Sequence, residues 1–230
     1  MSTLKSSAED LTLNADGSGN DIIFQSNASQ VGSLTAEGVL TISGTTPTLT
    51  IGDAGAEDTK IVFDGNAQDY YIGLDDTDDD FKIGLGSAVG TTAHIVIDET
   101  GAVTKPLQPT ASFGWDANIA TTTIIPASVI LVNIGSHLTS AGRFTAPIAG
   151  TYWYGFTGMS EDASANFKIE LRKNGSLVNN STRAYSHTIA YSHATTMGFI
   201  TLAASDYLEF YNAVAPLHSY YGQGSFQLVA

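Results

Sequence analysis

Five aspartates occupy six consecutive positions, 75–80, in the stretch YYIGLDDTDDDFKIG, which lies between two apolar segments. Such a cluster fits a structural calcium site, a catalytic carboxylate pair, or a polar turn that binds nothing. The helix–loop–helix calcium motif is absent, because counting from Asp76 places Phe81 and Ser87 where that motif needs glycine and glutamate. Nothing nearby supplies an apolar pocket that would keep one carboxyl group protonated beside an ionised one. We expect a polar turn, and the alternative is calcium binding by Asp75, Asp76, Asp78, Asp79 and Asp80.

The segments on either side of the aspartates alternate as strands do. In each segment, alternate residues are apolar and share one face: Tyr70, Ile72 and Leu74 before the aspartates, and Phe81, Ile83 and Leu85 after them. This pattern predicts a hairpin whose loop is the acidic stretch.

Tyrosine and histidine recur in AYSHTIAYSH, residues 184–193. If this stretch is extended, Tyr185, His187, Tyr191 and His193 fall on one face. Such side chains stack on sugar rings or pack across subunit interfaces, because they combine apolar area with a polar tip. We predict ligand or receptor contact here, and the alternatives are packing in a core or interface and a histidine metal site.

A second stretch of this kind, HSYYGQG at residues 218–224, lies near the end of the chain. His218, Tyr220 and Tyr221 form either an exposed recognition loop or the beginning of the last strand. They complete the set of candidate receptor-binding residues.

The composition is that of an all-β protein. Glycine is frequent with 23 residues, only 14% of residues are charged, and Thr, Val, Ile, Tyr and Phe recur in short runs. We expect almost no helix. There is no cysteine, which excludes disulfides, thiol catalysis and thiolate zinc sites. No apolar run is long enough to cross a membrane as a helix and no secretory signal pattern is present, so we expect no membrane insertion.

The acidity is concentrated in the first half of the chain. Residues 1–105 contain 17 acidic and 4 basic side chains, out of a net charge of −14 for the whole chain. This field disfavours nucleic acid as a partner, because binding phosphates requires an excess of lysine and arginine.

The same half repeats itself. LTLNADGSGNDIIF, residues 11–24, matches LTIGDAGAEDTKIVF, residues 49–63, and SLTAEGVLTI, residues 33–42, is echoed by IVIDETGAVT, residues 95–104. Repeats of this size form stacked units that cannot each bury a core alone. We therefore predict a repetitive β-rich stalk over 1–105 that assembles as a homotrimer, with the apolar rows inside and the acidic turns outside.

The sequence pattern of residues 106–230 predicts a separate head domain. Pro106 and Pro109 mark the boundary, and the strands beyond it lengthen and alternate apolar with polar residues. This alternation is typical of an antiparallel sandwich. Asn174-Gly175 predicts a tight hairpin, because both residues tolerate the positive φ angles of a type I′ turn.

One pattern in the head resembles the C1q/TNF-like jelly roll. Its signature reads Gly-x-Phe-x-x-Pro-x-x-Gly-x-Tyr, followed by a strand that ends in Asn-Gly. The matching residues are Gly142, Phe144, Pro147, Gly150, Tyr152, Leu171, Asn174 and Gly175. The sequence departs from the family at Ser205, where glycine usually precedes the aspartate that is Asp206 here. The resemblance implies a trimer that binds ligands through its outer loops and edges.

The sequence pattern of the N-terminal repeats resembles that of the shaft of bacteriophage tail fibres and related virion appendages. The two resemblances together imply a non-enzymatic phage virion protein, made in the host cytoplasm, whose N-terminal region attaches to other virion proteins. Its C1q-like head would bind a glycan or protein of the host surface. The alternatives are a capsid-decorating fibre or joining protein without receptor binding, and a glycan-cleaving spike. No catalytic or cofactor-binding motif is present, so we expect no cofactor, with the structural calcium ion at residues 75–80 as the one alternative.

Overall fold

The computed structural model describes residues 22–26, 29–35, 38–163, 166–178 and 183–230. All regular structure in these residues is β-strand, and all strand pairs are antiparallel, as the composition predicted. Within these residues no helix could span a membrane. The N-terminal attachment segment and most of the first repeat copy lie outside the described residues.

The chain divides into two compact units, Met1–Gly55 and Ala56–Ala230. The predicted boundary between stalk and head, at residues 105 and 106, falls inside the second unit, where the chain passes from one sheet to the next. That functional division stays a prediction.

The first unit contains a three-stranded sheet in the order β1-β2-β3. Its strands are β1 (Ile22–Ser26), β2 (Ser29–Leu34) and β3 (Leu40–Ile42). The second unit opens with a five-stranded meander in the order β4-β5-β6-β7-β8. Its strands are β4 (Thr59–Phe63), β5 (Tyr70–Asp75), β6 (Asp80–Leu85), β7 (Ala93–Ile97) and β8 (Val103–Thr104).

The two similar segments found in the sequence, residues 33–42 and 95–104, each contain a hairpin turn between two strands. Between β2 and β3 the amide of Gly38 donates to the carbonyl of Thr35 at 3.0 Å, and between β7 and β8 the amide of Gly101 donates to that of Asp98 at 2.9 Å. Both glycines have positive φ, 80° and 88°. The two copies thus share their hydrogen bonding as well as their sequence.

The rest of the second unit is a jelly roll of two facing antiparallel sheets. One sheet has the order β11-β9-β19-β13-β17, and the other has the order β10-β18-β14-β15, with β12 also paired to β18 and β16 to β14. The strands are β9 (Thr110–Gly114), β10 (Thr123–Ile124), β11 (Val129–Ile134), β12 (Phe144–Thr145), β13 (Gly150–Ser160), β14 (Lys168–Lys173), β15 (Ser176–Leu177), β16 (Arg183–Tyr185), β17 (His193–Leu202), β18 (Tyr207–Val214) and β19 (Leu217–Leu228).

The core lies between these two sheets and is aromatic at its centre. Phe144, Phe210 and Phe226 are fully buried, with ring centroids 5.0–5.1 Å apart along the stack. Tyr152 and Leu171 are buried with them. Phe144, Tyr152 and Leu171 were the core positions predicted from the signature, and that prediction is confirmed. Burial of such side chains contributes roughly 1.5–3 kcal/mol each.

Two glycines of the signature are required by the backbone. Gly142 has φ of 84°, and a Cβ there would collide with the carbonyl oxygen of Ile125. At the β14–β15 hairpin, Asn174 has φ of 50° and Gly175 has φ of 78°, which is the type I′ turn that the sequence predicted.

Candidate functional site

The acidic stretch forms the predicted hairpin between β5 and β6, with Asp75 opposite Asp80. Its carboxylates gather around Lys82, whose side chain is buried. The Nζ of Lys82 lies 2.8 Å from Oδ2 of Asp75, 2.7 Å from Oδ2 of Asp78 and 3.9 Å from Oδ2 of Asp80. The counter-ion of the cluster is therefore a lysine of the chain itself.

This arrangement raises the pKa of Lys82 and of Asp80 and lowers the pKa of Asp75. Burial opposes the charge on Lys82, but its hydrogen bonds to Asp75 and Asp78 raise its pKa above the ordinary value. The hydrogen bond from Lys82 lowers the pKa of Asp75. Desolvation, aided by repulsion from Asp78, raises the pKa of Asp80. Both the ammonium group and the Asp75 carboxylate are thus held in their charged forms.

Among the residues that the structure describes, no group of three or more His, Asp and Glu side chains is placed to hold a metal ion. The calcium site at residues 75–80 stays a prediction. Any ion bound there would have to share Asp75 and Asp78 with Lys82, or use Asp76 and Asp79.

The apolar rows of β5 and β6 share one face, as predicted, and that face is exposed in the single chain. Neighbouring strands extend it, because Ile61 lies opposite Ile72 and Phe81 lies opposite Ile97. The exposed members are Ile61, Phe63, Tyr70, Leu74, Phe81 and Val103, and Phe63 is 61% exposed. We call this set the β4–β8 apolar face.

The opposite face of the same sheet is the covered one. Tyr71 is fully buried there, its hydroxyl oxygen accepts a hydrogen bond from the amide of Gly90 at 3.2 Å, and Val89 is buried beside it. The segment between β6 and β7 therefore closes the face that carries Lys82 and Asp75. The apolar face is left for a partner, since a patch of this kind marks an interaction surface.

A second apolar face lies on the outside of the β13–β17 sheet in the jelly roll. Met197 and Phe199 project from β17 and are 63% and 68% exposed. They lie opposite Gly155 and Trp153 of β13. Met197, Gly155 and Trp153 border a hollow of about 420 Å³. We call Met197, Phe199, Gly155 and Trp153 the β13–β17 apolar face.

A cluster of aromatic and titratable side chains lies at the C-terminal end of β13. The ring of Tyr191 lies 5.7 Å from that of His218, and the ring of Tyr221 meets the His218 ring edge-on at 4.9 Å. The Nε2 of His218 lies 3.2 Å from Oε2 of Glu161. We call Tyr191, His218, Tyr221 and Glu161 the tyrosine–histidine cluster.

Both ring nitrogens of His218 face acceptors. Nδ1 lies 2.7 Å from the carbonyl oxygen of Ser219, and Nε2 faces Glu161. The cluster thus combines two exposed aromatic rings with an imidazole ring and a carboxylate at its centre.

A bulge in β19 presents this cluster. Opposite β13 the register jumps, so that Gly158 pairs with Gly222 while Ser160 pairs with Leu217. The extra residues of β19 turn outward, and bulges commonly re-aim side chains in this way. Trp115 supports the bulge from below, because its Nε1 donates to the carbonyl of His218 at 2.7 Å.

The loop that carries Tyr191 is fixed by serine hydrogen bonds. The amide of Ser192 donates to Oγ of Ser160 at 3.1 Å, and the amide of Ser160 donates to the carbonyl of Ser192 at 2.9 Å. The amide of Tyr191 donates to the carbonyl of Ser160 at 3.0 Å. These bonds hold Tyr191 over His218.

The predicted strand over AYSHTIAYSH is wrong. Tyr185 ends β16, His193 begins β17, and residues 186–192 form the loop between them. The strand cannot continue because Tyr191 takes a positive φ of 62° and the loop is tied to Ser160. Of the four side chains predicted on one face, only Tyr191 joins the cluster.

The other candidate residues are dispersed. Tyr185 lies on the outer face of the second jelly-roll sheet, while His187 and His193 are exposed on the loop and at the start of β17. Tyr220 is 73% exposed and borders a groove of about 400 Å³ with Leu131 and Trp115. The HSYYGQG stretch lies within β19, the last strand, with Tyr220 and Tyr221 exposed, and its part in recognition stays a prediction.

Glu161 was missed at the sequence level. It is adjacent to His218 only because β13 and β19 pair, and no motif near Glu161 marks it. The one available signal was the position of Glu161 directly after a long apolar strand.

No protein-family model matches the sequence, and no curated protein matches it. Solved structures resemble the jelly roll. The globular domain of zebrafish complement 1qA protein has a TM-score of 0.44 at 13% identity, covering 54% of this chain and 98% of that chain. Eiger TNF from S. frugiperda has a TM-score of 0.41 at 15% identity, covering 54% of this chain and 93% of that chain.

PRD1 vertex protein P5 has a TM-score of 0.37 at 15% identity, covering 54% of this chain and 99% of that chain.

Proposed function

We propose that the chain is a non-enzymatic structural protein of a bacteriophage virion, a homotrimeric fibre or spike whose C1q-like head contacts the host cell surface. The observation that carries this proposal is the pair of exposed apolar faces, one on the β4–β8 sheet and one on the jelly roll. A single chain leaves both uncovered.

Association of three copies about one axis would bury both faces. Closed cyclic symmetry is the common solution for homo-oligomers, and it lets the same surface of every copy find its partner. Phe63 and Phe199 would then be removed from water, while the acidic hairpin at residues 75–80 would remain outside. The long N-terminal region would be free to attach the protein to other virion proteins.

A binding role is also favoured over catalysis by the state of the buried carboxylates. Asp75 is hydrogen-bonded to Lys82, Glu170 to Lys168 and Glu209 to Arg143. Each of these carboxylates is paired with a cation of the chain itself, which is the arrangement of a structural ion pair.

The tyrosine–histidine cluster is the best candidate for the receptor contact. Tyr191 and Tyr221 are exposed aromatic rings beside the imidazole of His218 and the carboxylate of Glu161, a combination that suits sugar rings or a polar protein loop. Three such sites on one trimer would raise the avidity of individually weak contacts.

The test of receptor contact is competition for adsorption. Purified full-length chain is added to host cells before the phage that carries it, and the fraction of adsorbed phage is measured. We expect wild-type chain to block adsorption, Tyr191→Ala with Tyr221→Ala to lose the block, and Ile189→Ala, an exposed change in the same loop, to retain it. If wild-type chain does not compete, receptor binding is wrong.

The position of the protein on the particle separates attachment from decoration. Antibody labelling of intact virions should place the chain on the tail or at a spike if it contacts the host. Labelling spread over the capsid, together with a failure to compete for adsorption, would favour a capsid-decorating fibre.

A further inference from the structure

Two tyrosines of the jelly roll have backbone conformations that bulky residues rarely adopt. Tyr191 has φ of 62° and Tyr220 has φ of 65°. Such a φ is strained for tyrosine, because the Cβ crowds the backbone in the left-handed region. The two side chains are 60% and 73% exposed, so burial in the core does not compensate for the strain. Strained residues that persist in a fold cluster at ligand sites, which makes the surface around these tyrosines a candidate binding site.

Backbone hydrogen bonds hold both tyrosines in place. The amide of Tyr220 donates to the carbonyl of Trp115 at 3.0 Å, as the amide of Tyr191 does to that of Ser160. Trp115 is buried, and its Nε1 also donates to the carbonyl of His218, so one core residue fixes the β19 bulge at two points. The rings on the bulge are therefore presented in fixed positions, which reduces the conformational entropy lost when a ligand binds.

The β19 bulge places aromatic rings on two adjoining surfaces. The ring of Tyr221 packs edge-on against His218 within the tyrosine–histidine cluster. Tyr220 instead lines the groove of about 400 Å³. We call this the Tyr220 groove, and its lining residues are Gly114, Trp115, Val129, Leu131, Tyr220 and Gly222. Consecutive Cα atoms are about 3.8 Å apart, so the groove and the cluster are close enough for neighbouring units of one oligomeric ligand.

The polar groups beside these rings are suited to hydroxyl groups. Oδ1 of Asn118 accepts a hydrogen bond from the amide of Ser219 at 2.8 Å, which fixes an exposed carboxamide next to the bulge. The side chain of Glu161 is about one third exposed. The residues that line the groove and form the cluster include no lysine or arginine. An acidic sugar would therefore find no cation among them, and it would approach a chain with a net charge of −14.

We propose that the tyrosine–histidine cluster and the Tyr220 groove together bind a neutral oligosaccharide. Tyr191 and Tyr221 would stack on one sugar ring and Tyr220 on the next, because tyrosine combines an apolar face with a polar tip. Asn118 and Glu161 would form hydrogen bonds with sugar hydroxyl groups. Since the two parts of the site adjoin, an oligosaccharide should bind more tightly than a single sugar.

This proposal rests on the proposed function for its role in host attachment, because it names the ligand class of the cluster that was proposed there as the receptor contact. It adds the Tyr220 groove as a second part of the same site. The binding itself does not depend on the fibre, since all the contacting groups belong to one chain.

The test is calorimetric titration of the purified full-length chain with neutral tetrasaccharides of glucose, galactose, mannose and N-acetylglucosamine. The four monosaccharides and a galacturonate tetrasaccharide are titrated in parallel. We expect a neutral tetrasaccharide to bind, its monosaccharide to bind at least about tenfold more weakly, and the galacturonate not to bind. The proposal would be overturned if none of the neutral tetrasaccharides binds, if the monosaccharide binds equally well, or if the galacturonate does.

Tyr220→Gly separates a loss of contact from a loss of folding. Glycine favours the positive φ of this position, so the variant should be at least as stable as the wild type and yet bind the tetrasaccharide severalfold more weakly. Tyr220→Phe, which keeps the ring, should retain most of the affinity. Undiminished affinity in Tyr220→Gly would overturn the role of the groove.

Ser205→Gly is the matched control. It relieves a positive φ of 71° at the opposite end of β13, because Ser205 follows Leu202, which pairs with the first residue of that strand. It should retain the full affinity for the tetrasaccharide. A loss equal to that of Tyr220→Gly would show that the backbone change, and not the missing ring, weakens binding, and would overturn the proposal.

Competition for phage adsorption distinguishes this proposal from the receptor role. A chain that binds a neutral tetrasaccharide but does not block adsorption would contradict receptor contact and support the sugar site by itself. A chain that binds host cells equally well before and after periodate oxidation of their surface sugars would show a protein receptor and overturn this proposal.

Discussion

The Nζ of Lys82 lies 2.8 Å from Oδ2 of Asp75, and fewer than one tenth of either side chain is exposed. The two residues come from neighbouring strands, and Lys82 lies opposite Gly73, which leaves room for its side chain to reach back to Asp75. The positive charge of Lys82 offsets the repulsion among the carboxylates of the acidic hairpin, because it contacts both Asp75 and Asp78. It also places the only buried lysine among the described residues directly under the acidic loop.

Replacing Lys82 with Met should destabilise the protein by roughly 2–3 kcal/mol, because Asp75 would stay buried without its counter-ion. The expected loss is below the roughly 3–5 kcal/mol of a fully enclosed pair, since Asp78 is half-exposed and water reaches it. Urea unfolding at fixed protein concentration measures the effect. Lys60→Met, at an exposed lysine of β4, is the matched control and should change little.

The same variant tests the calcium prediction. Lys82→Met frees the carboxylates of Asp75 and Asp78, and several carboxylates on one loop attract hard cations. We expect Ca²⁺ to raise the melting temperature of the variant and to leave that of the wild type unchanged. If Ca²⁺ stabilises the wild type as strongly, and a chelator reverses the effect, the calcium site predicted at residues 75–80 is real despite Lys82.

Ser205 should be a site of strain. It has φ of 71°, in the left-handed region that glycine favours. Ser205→Gly should therefore stabilise the protein by about 1 kcal/mol, while Ser205→Ala should give no gain. Urea unfolding of the two variants measures this difference. Equal stability of Ser205→Gly and Ser205→Ala would show that the backbone at Ser205 is not strained.

Asp206 should contribute to stability in a pH-dependent way. Hydrogen bonds from Lys173 and Asn174 lower its pKa from 3.8 to about 2. A carboxyl whose pKa is lower in the folded state stabilises that state above its unfolded pKa, and the contribution is lost as the pH falls through the folded value. Asp206→Asn should therefore be less stable than the wild type at neutral pH, and the difference should shrink between about pH 4 and about pH 2.

Comparing the wild type with this one variant removes the other acidic groups from the measurement. Asp75 also has a lowered pKa and acts in the same direction, whereas the raised pKa of Asp80 acts in the opposite direction. A gap between wild type and Asp206→Asn that stays constant across this pH range would show that the contacts of Asp206 are not electrostatic.

Features that depend on residues close together in the sequence could be predicted. The turn at Asn174-Gly175, the buried positions of Phe144 and Tyr152, and the acidic hairpin all depend on residues within a few positions of each other. At Ser205, where the sequence departs from the signature, the backbone takes the left-handed conformation that glycine favours.

Contacts between strands that are far apart in the sequence could not be predicted. Glu161 meets His218 only through the pairing of β13 with β19, and the strand expected over AYSHTIAYSH is broken by hydrogen bonds between Ser160 and Ser192. The partner of the acidic loop could have been inferred, since Lys82 is the one basic residue in the strand that follows that loop.

The central claim is that the two apolar faces are covered by further copies of the chain, and the solution mass of the purified protein tests it most directly. Light scattering after gel filtration should give about three times the 24.1 kDa of one chain. Phe63→Glu and Phe199→Glu, one on each face, should each lower the mass, and Ile189→Glu, an equally exposed change outside both faces, should not. A wild-type protein with the mass of one chain would contradict the homotrimer and the fibre built on it.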